Sequence, residues 1–63
     1  MKLGKFLDER GLSCGEFGAQ VGATTEAVRL WASDQRIPKK EFMEKIADVT
    51  SGTVTANDFY QAA

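Results

Sequence analysis

The chain has 63 residues, 43% of them hydrophobic and 27% charged, with a formal net charge of −1. That is enough for one domain, residues 1–63, near the lower limit for folding without staples, in which roughly 60% of the unfolded surface can be buried. One cysteine, Cys14, excludes an intrachain disulfide, and the lack of histidine leaves no ligand set for zinc.

Taken in order, the chain opens on Met1-Lys2-Leu3-Gly4-Lys5-Phe6, which has no long apolar core. Neither a signal peptide nor a membrane span is expected, and the expected setting is the cytoplasm. Leu3, Phe6 and Leu7 recur at helical spacing and predict a first helix over Lys2–Arg10. Gly11 followed by Leu12 suits a left-handed helix ending. Ser13-Cys14-Gly15-Glu16 fits a capping box and opens a second helix. That helix carries Gly15 and Gly18, each costing about 1 kcal/mol relative to alanine. A glycine kept at position 18 suggests that another helix passes close to it. Gly22 predicts a left-handed end, and Thr24 the N-cap of a third helix over Thr25–Ser33.

Phe17 and Val21 are four apart, and Val28 and Trp31 three apart. Two short helices joined at Gly22 would bury all four on one shared face. Thr25, Glu26, Arg29 and Leu30 would then face outward together. Asp34–Pro38 reads as a loop, and Pro38 as the opening of a fourth helix over Lys39–Thr50. Phe42, Ile46 and Val49 form the predicted buried stripe of that helix, with Met43 and Ala47 beside it. Ser51-Gly52 predicts a turn and Thr53-Val54 an extended pair. Thr55 then caps a short last helix, whose Phe59 and Tyr60 would pack the tail onto the domain. The expected fold is all-α.

Charge is unevenly spread. Between Arg29 and Lys40 stand Arg29, Arg36, Lys39 and Lys40 against Asp34 alone. The acids Asp8, Glu9, Glu41, Glu44, Asp48 and Asp58 lie mostly on the outer segments. The basic cluster is read equally well as a solvated helix end. Cys14 stands alone at a helix start, and no nucleophile–base pair is present, so no enzymatic activity and no cofactor or small-molecule ligand is expected.

The pattern Phe17-Gly18-x-x-Val21-Gly22-Ala23-Thr24-x-x-x-Val28-x-x-Trp31, a polar loop and Arg36-x-Pro38 resembles the Cro/repressor class of phage and bacterial helix-turn-helix proteins. The tail, Ile46-Ala-Asp-Val49-Thr50-Ser-Gly52-x-Val54-Thr-x-Asn57-Asp58-Phe59-Tyr60-Gln-Ala-Ala63, resembles the endings of lambdoid Cro-like and YdaS-like regulators of the XRE superfamily. The resemblance covers nearly the whole chain. It implies a compact five-helix, lambda-repressor-like domain with a helix-turn-helix at about residues 13–33. The implied function is sequence-specific regulation of transcription, most simply as a Cro-type repressor in a bacterial nucleoid or phage-infected host. The implied partner is a double-stranded DNA operator, bound by a homodimer.

Carried over by position, Thr25, Glu26, Arg29 and Leu30 would meet base edges in the major groove. Arg29 can form two bonds to guanine, and Glu26 can accept from cytosine N4 or hold Arg29 in place. Thr25 can bond a base or phosphate, and Leu30 can meet a thymine methyl. The Glu26–Arg29 spacing equally suits a solvated ion pair, and Leu30 equally suits peripheral core. Arg36, Lys39 and Lys40 would meet phosphates, with Ser13, Thr24, Ser33 and Gln35 as hydrogen-bond donors. The dimer surface is expected around Phe59 and Tyr60 or at the end of the fourth helix. Three residues depart from the family pattern: Gly18 for alanine, Cys14 for a phosphate-touching glutamine, and Asp34 for glycine. A protein-interaction or antitoxin-like module of the same fold is the alternative, favoured by the acidic balance and Asp34.

Overall fold

Isolated helices shorter than about a dozen residues barely persist in water, so helices this short form only by docking together. The computed structural model describes residues 1–60 as α1 (Leu3–Arg10), α2 (Cys14–Val21), α3 (Thr25–Ala32), α4 (Lys40–Val49) and α5 (Ala56–Tyr60). Among the described residues there is no strand, and the chain is all-α. None of these helices is long and apolar enough to cross a membrane.

Local chemistry sets the starts of α2 and α3. The Glu16 N–H donates to Ser13 Oγ at 3.1 Å, and the Ser13 N–H donates to Glu16 Oε1 at 2.9 Å. This is the full capping box. The Ser13 N–H holds the Glu16 carboxyl below its ordinary pKa. At α3 the Ala27 N–H donates to Thr24 Oγ1 at 3.1 Å. The starts of α1 and α4 lack a side-chain cap, and both begin one residue later than spacing predicts. Lys2 and Lys39 have extended backbone and stand just outside their helices. Pro38 precedes that cap and is buried, so it ends the loop rather than opening the helix. Ser33 and Thr50 likewise fall just past the ends of α3 and α4.

One closing geometry recurs four times. The residue in left-handed conformation is Gly11, Gly22, Asp34 (φ 62°) and Ser51 (φ 54°) in turn. After each, the next N–H reaches five residues back: Leu12 to Leu7, Ala23 to Gly18, Gln35 to Leu30 and Gly52 to Ala47, at 2.8–3.0 Å. These bonds satisfy carbonyls that the helix end leaves open. The two glycines adopt the conformation without Cβ strain, whereas Asp34 and Ser51 do not.

Gly18 is explained by the turn after α2. A Cβ at Gly18 would lie 2.6 Å from the carbonyl oxygen of Ala23. The close neighbour is therefore backbone in the α2–α3 turn, not the side of another helix. Any side chain here would push the turn away from α2.

The core gathers Leu3, Phe6 and Leu7 of α1, Phe17 and Val21 of α2, and Val28 and Trp31 of α3. Met43 and Ile46 of α4, Val54 and Phe59 complete it. Phe6 and Phe17 meet edge to face at 6.2 Å, and Trp31 lies 5.3 Å from Phe42. The buried line of α4 runs through Met43 and Ile46 and continues to Thr50 just past its end, while Phe42 and Val49 are half-buried at its margin. This corrects the expected Phe42–Ile46–Val49 stripe by a small rotation of the helix. Phe59 is buried, but Tyr60 is 61% exposed and does not pack the tail down as expected.

Thr50 is the buried polar residue that the spacing did not flag. Its hydroxyl donates to the Ile46 carbonyl at 2.7 Å and accepts from the Val54 N–H at 3.1 Å. It thus ties the end of α4 to fully buried Val54. Thr53-Val54 is a bend rather than an extended pair. Thr50→Val keeps the shape and strands the Val54 N–H. The expected cost is about 1–3 kcal/mol, read as a lower urea midpoint with an unchanged slope. Beyond the bend, the Thr55 N–H donates to Asp58 Oδ2 at 2.9 Å, and the Met1 ammonium donates to Asp58 Oδ1 at 3.0 Å. The Thr55 N–H, foremost, and the ammonium hold the Asp58 carboxyl below its ordinary pKa.

Candidate functional site

The three-residue turn from Gly22 to Thr24 sets α3 against α2, and burial of Val28 and Trp31 fixes which face of α3 looks inward. Thr25, Glu26 and Arg29 are consequently exposed together on the outer face. Leu30 is half-buried at the edge of that face. The starts of α2 and α3 converge: a Cβ on Gly15 would lie 3.2 Å from Thr25 Oγ1. Cys14, the first residue of α2, is half-buried.

Glu26 and Arg29 are joined as a fork. Arg29 Nε donates to Glu26 Oε1 at 3.2 Å, and Arg29 Nη2 donates to Glu26 Oε2. The hydrogen bond from Arg29 lowers the Glu26 pKa, and the reciprocal bond raises that of Arg29. Both side chains are more than half exposed, so the pair contributes little to stability. Its consequence is orientation. One edge of the guanidinium is occupied by Glu26, and the far edge, carrying Nη1, is turned away from it.

The other three cations expected at the site lie past the end of α3. Arg36, Lys39 and Lys40 are exposed, as is Gln35. The Ser13 and Thr24 hydroxyls accept from helix N–H groups and keep their own protons for outside acceptors. Ser33 differs: its hydroxyl donates to the Arg29 carbonyl at 3.0 Å, with the Leu30 carbonyl at 3.3 Å as a second acceptor. Lys45, absent from the sequence-based set, is brought by α4 to the α2–α3 turn, its Nζ 3.8 Å from where a Cβ on Gly22 would stand. Spacing along the chain cannot register such a placement, because α4 and the turn are distant in sequence.

Asp34 pairs with Lys2 across the α1 end, Nζ to Oδ1 at 3.3 Å. Both groups are well exposed, so the pair offsets little of the left-handed strain at Asp34. Asp34→Gly is expected to stabilise the fold by about 0.5–1 kcal/mol, seen as a higher melting temperature. A melting temperature below that of the parent chain would refute the strain assignment.

Behind the outer face of α3 lies an open groove of about 570 Å³. Ala27 and Trp31 of α3, Arg36, Ile37 and Lys39 of the following loop, and Phe42 of α4 line it. Ile37 is 50% exposed there. No protein-family model, no curated protein and no solved structure matches the chain.

Proposed function

We propose that this chain is a sequence-specific DNA-binding regulator of the helix-turn-helix, lambda-repressor-like kind, most simply a Cro-type repressor. In this reading α2 and α3 are the helix-turn-helix, and α3 enters the major groove of a short palindromic operator. The observation that carries it is the exposed face of α3. Thr25, Glu26 and Arg29 stand together there, with Arg36, Lys39 and Lys40 beyond the helix end. An eight-residue helix is about 12 Å long and about 10–12 Å across with its side chains, which suits a groove about 12 Å wide.

Arg29 reads guanine, Glu26 accepts from a neighbouring base amine, and Thr25 and Leu30 make the flanking contacts. Arg36, Lys39 and Lys40 hold phosphates, with Gln35, Ser13 and Thr24 adding hydrogen bonds. A single copy brings few cations, so a homodimer is the binding species. The described residues extend 26 Å along the longest axis and 22 Å along the other two, below the roughly 34 Å that separates half-sites one helical turn apart. Two copies can therefore lie side by side on one face of the duplex. The working place is the cytoplasm of a bacterium or phage-infected host.

The test is selection of bound duplexes from a random pool, followed by titration of the enriched sequence against salt. The expected result is a palindromic motif with a log–log salt slope of about −5, from three phosphate contacts per subunit. Recovery of no motif at low salt would overturn the reading. A second reading, a protein-interaction or antitoxin-like module, is favoured by the net charge of −1 and by the exposed Asp34 just past α3.

A further inference from the structure

The groove behind α3 has the composition of a peptide site. Its apolar lining is half-buried Ala27 and Phe42, the exposed Ile37, and the small edge of Trp31 that the core leaves uncovered, 3% of that residue. Among the described residues that line it, Arg36 and Lys39 are cations and none is an anion. In a chain whose net charge is −1, that is a local reversal of sign. The volume, about 570 Å³, falls within the range of pockets that enclose small ligands or anchoring side chains. A duplex backbone could satisfy the cations, but phosphates have no use for the apolar lining. A ligand that satisfies both is an acidic segment carrying bulky apolar side chains.

We propose that this groove binds an acidic peptide segment of a partner protein, its apolar anchor resting on Trp31, Phe42 and Ile37 and its carboxylates facing Arg36 and Lys39. An anchor seated in a desolvated pocket supplies most of the binding energy, and the rim charges supply selectivity. Because Arg36 and Lys39 are also the proposed phosphate contacts, the segment and DNA would exclude one another. Such a partner would act as an antagonist of DNA binding. The peptide site itself does not depend on the DNA reading, whereas the exclusion does.

Trp31 is the single tryptophan of the chain and lines the groove, so its fluorescence and its indole N–H resonance report occupancy directly. The probe is the synthetic peptide acetyl-Glu-Asp-Asp-Phe-Glu-Asp-Leu-Asp-amide, titrated into the full chain. Saturable shifts of the Trp31, Ile37 and Phe42 resonances are expected. Affinity should fall at least about tenfold when both apolar residues of the peptide become serine. A similar loss is expected for Arg36→Glu with Lys39→Glu, and for Ile37→Asp, all at exposed positions where helical circular dichroism verifies folding.

Equal binding of the serine peptide, or of a peptide with lysine for every acid, would overturn the proposal. So would unchanged affinity in the charge-reversed variant. Shifts at the same residues on raising the concentration of the chain alone would assign the groove to a second copy instead. Shifts with duplex DNA but not with the peptide would assign the cations to phosphate alone. If the peptide binds but no duplex does, the site stands and the DNA reading falls.

Discussion

Phe17→Ala is expected to leave the chain largely unfolded. Phe17 is fully buried, and it carries the edge-to-face contact that joins α2 to Phe6 of α1. Removing a buried phenyl ring costs about 3–5 kcal/mol, because the lost transfer energy is joined by the cavity left behind. At roughly 0.05–0.15 kcal/mol per residue, a domain of this size has about 3–9 kcal/mol in total. The longest helix here has ten residues, so no helix survives the loss of the shared core. The loss should be cooperative, seen as disappearance of the helical circular dichroism signal. Phe17→Leu preserves most of the volume and should remain folded, at a cost of about 1.5 kcal/mol or less. If Phe17→Ala retained a full helical signal and a urea midpoint near that of the parent, Phe17 would not be central to the core.

The parts of the fold that spacing made legible are those governed by chemistry within four residues. Ser13 and Glu16 cap α2 because their side chains reach only three residues, and Gly22 closes it because glycine alone adopts that conformation without strain. The apolar pairs Phe17/Val21 and Val28/Trp31 were equally local, and all four are buried. What escaped was set by partners far along the chain or by residues acting against their preference. Asp34 and Ser51 take the left-handed position that composition assigns to glycine, held there by the 5-back hydrogen bonds that follow. Thr50 looks like an ordinary helix-end threonine until Val54 folds over it. The rotation of α4 that buries Met43 more deeply than Phe42 is a packing outcome, not a periodicity.

The same division holds for the candidate site. That Thr25, Glu26 and Arg29 share an outer face follows from helical spacing, and the i, i+3 fork between Glu26 and Arg29 follows from it too. The groove does not, because α3, the loop and α4 each supply only part of its lining. Lys45 at the α2–α3 turn is hidden for the same reason.

Arg29→Ala is expected to weaken binding to the selected operator by about 5–150-fold and to relax preference at one base pair of each half-site. That loss corresponds to about 1–3 kcal/mol, the worth of a two-bond contact to guanine O6 and N7. The fork dictates how such a contact forms. Glu26 occupies Nε and one N–H of Nη2, so in the proposed complex a guanine would be met by the far edge, through Nη1 and the remaining N–H of Nη2. The Glu26 carboxylate then lies beside the neighbouring base pair. It tolerates a cytosine or adenine amine and repels the carbonyl oxygens of guanine or thymine. Glu26→Ala should therefore cost less affinity than Arg29→Ala, yet admit sequences that the parent chain refuses. Lys39→Ala provides the contrast: weaker binding to every sequence alike, with the salt slope reduced in magnitude by about one per subunit. These variants alter exposed positions, so melting temperatures should change little. An Arg29→Ala chain that kept both its affinity and its base preference would remove α3 from the major groove. A Glu26→Ala chain that kept the parent's motif unchanged would leave Arg29 reading guanine without any guidance from the fork.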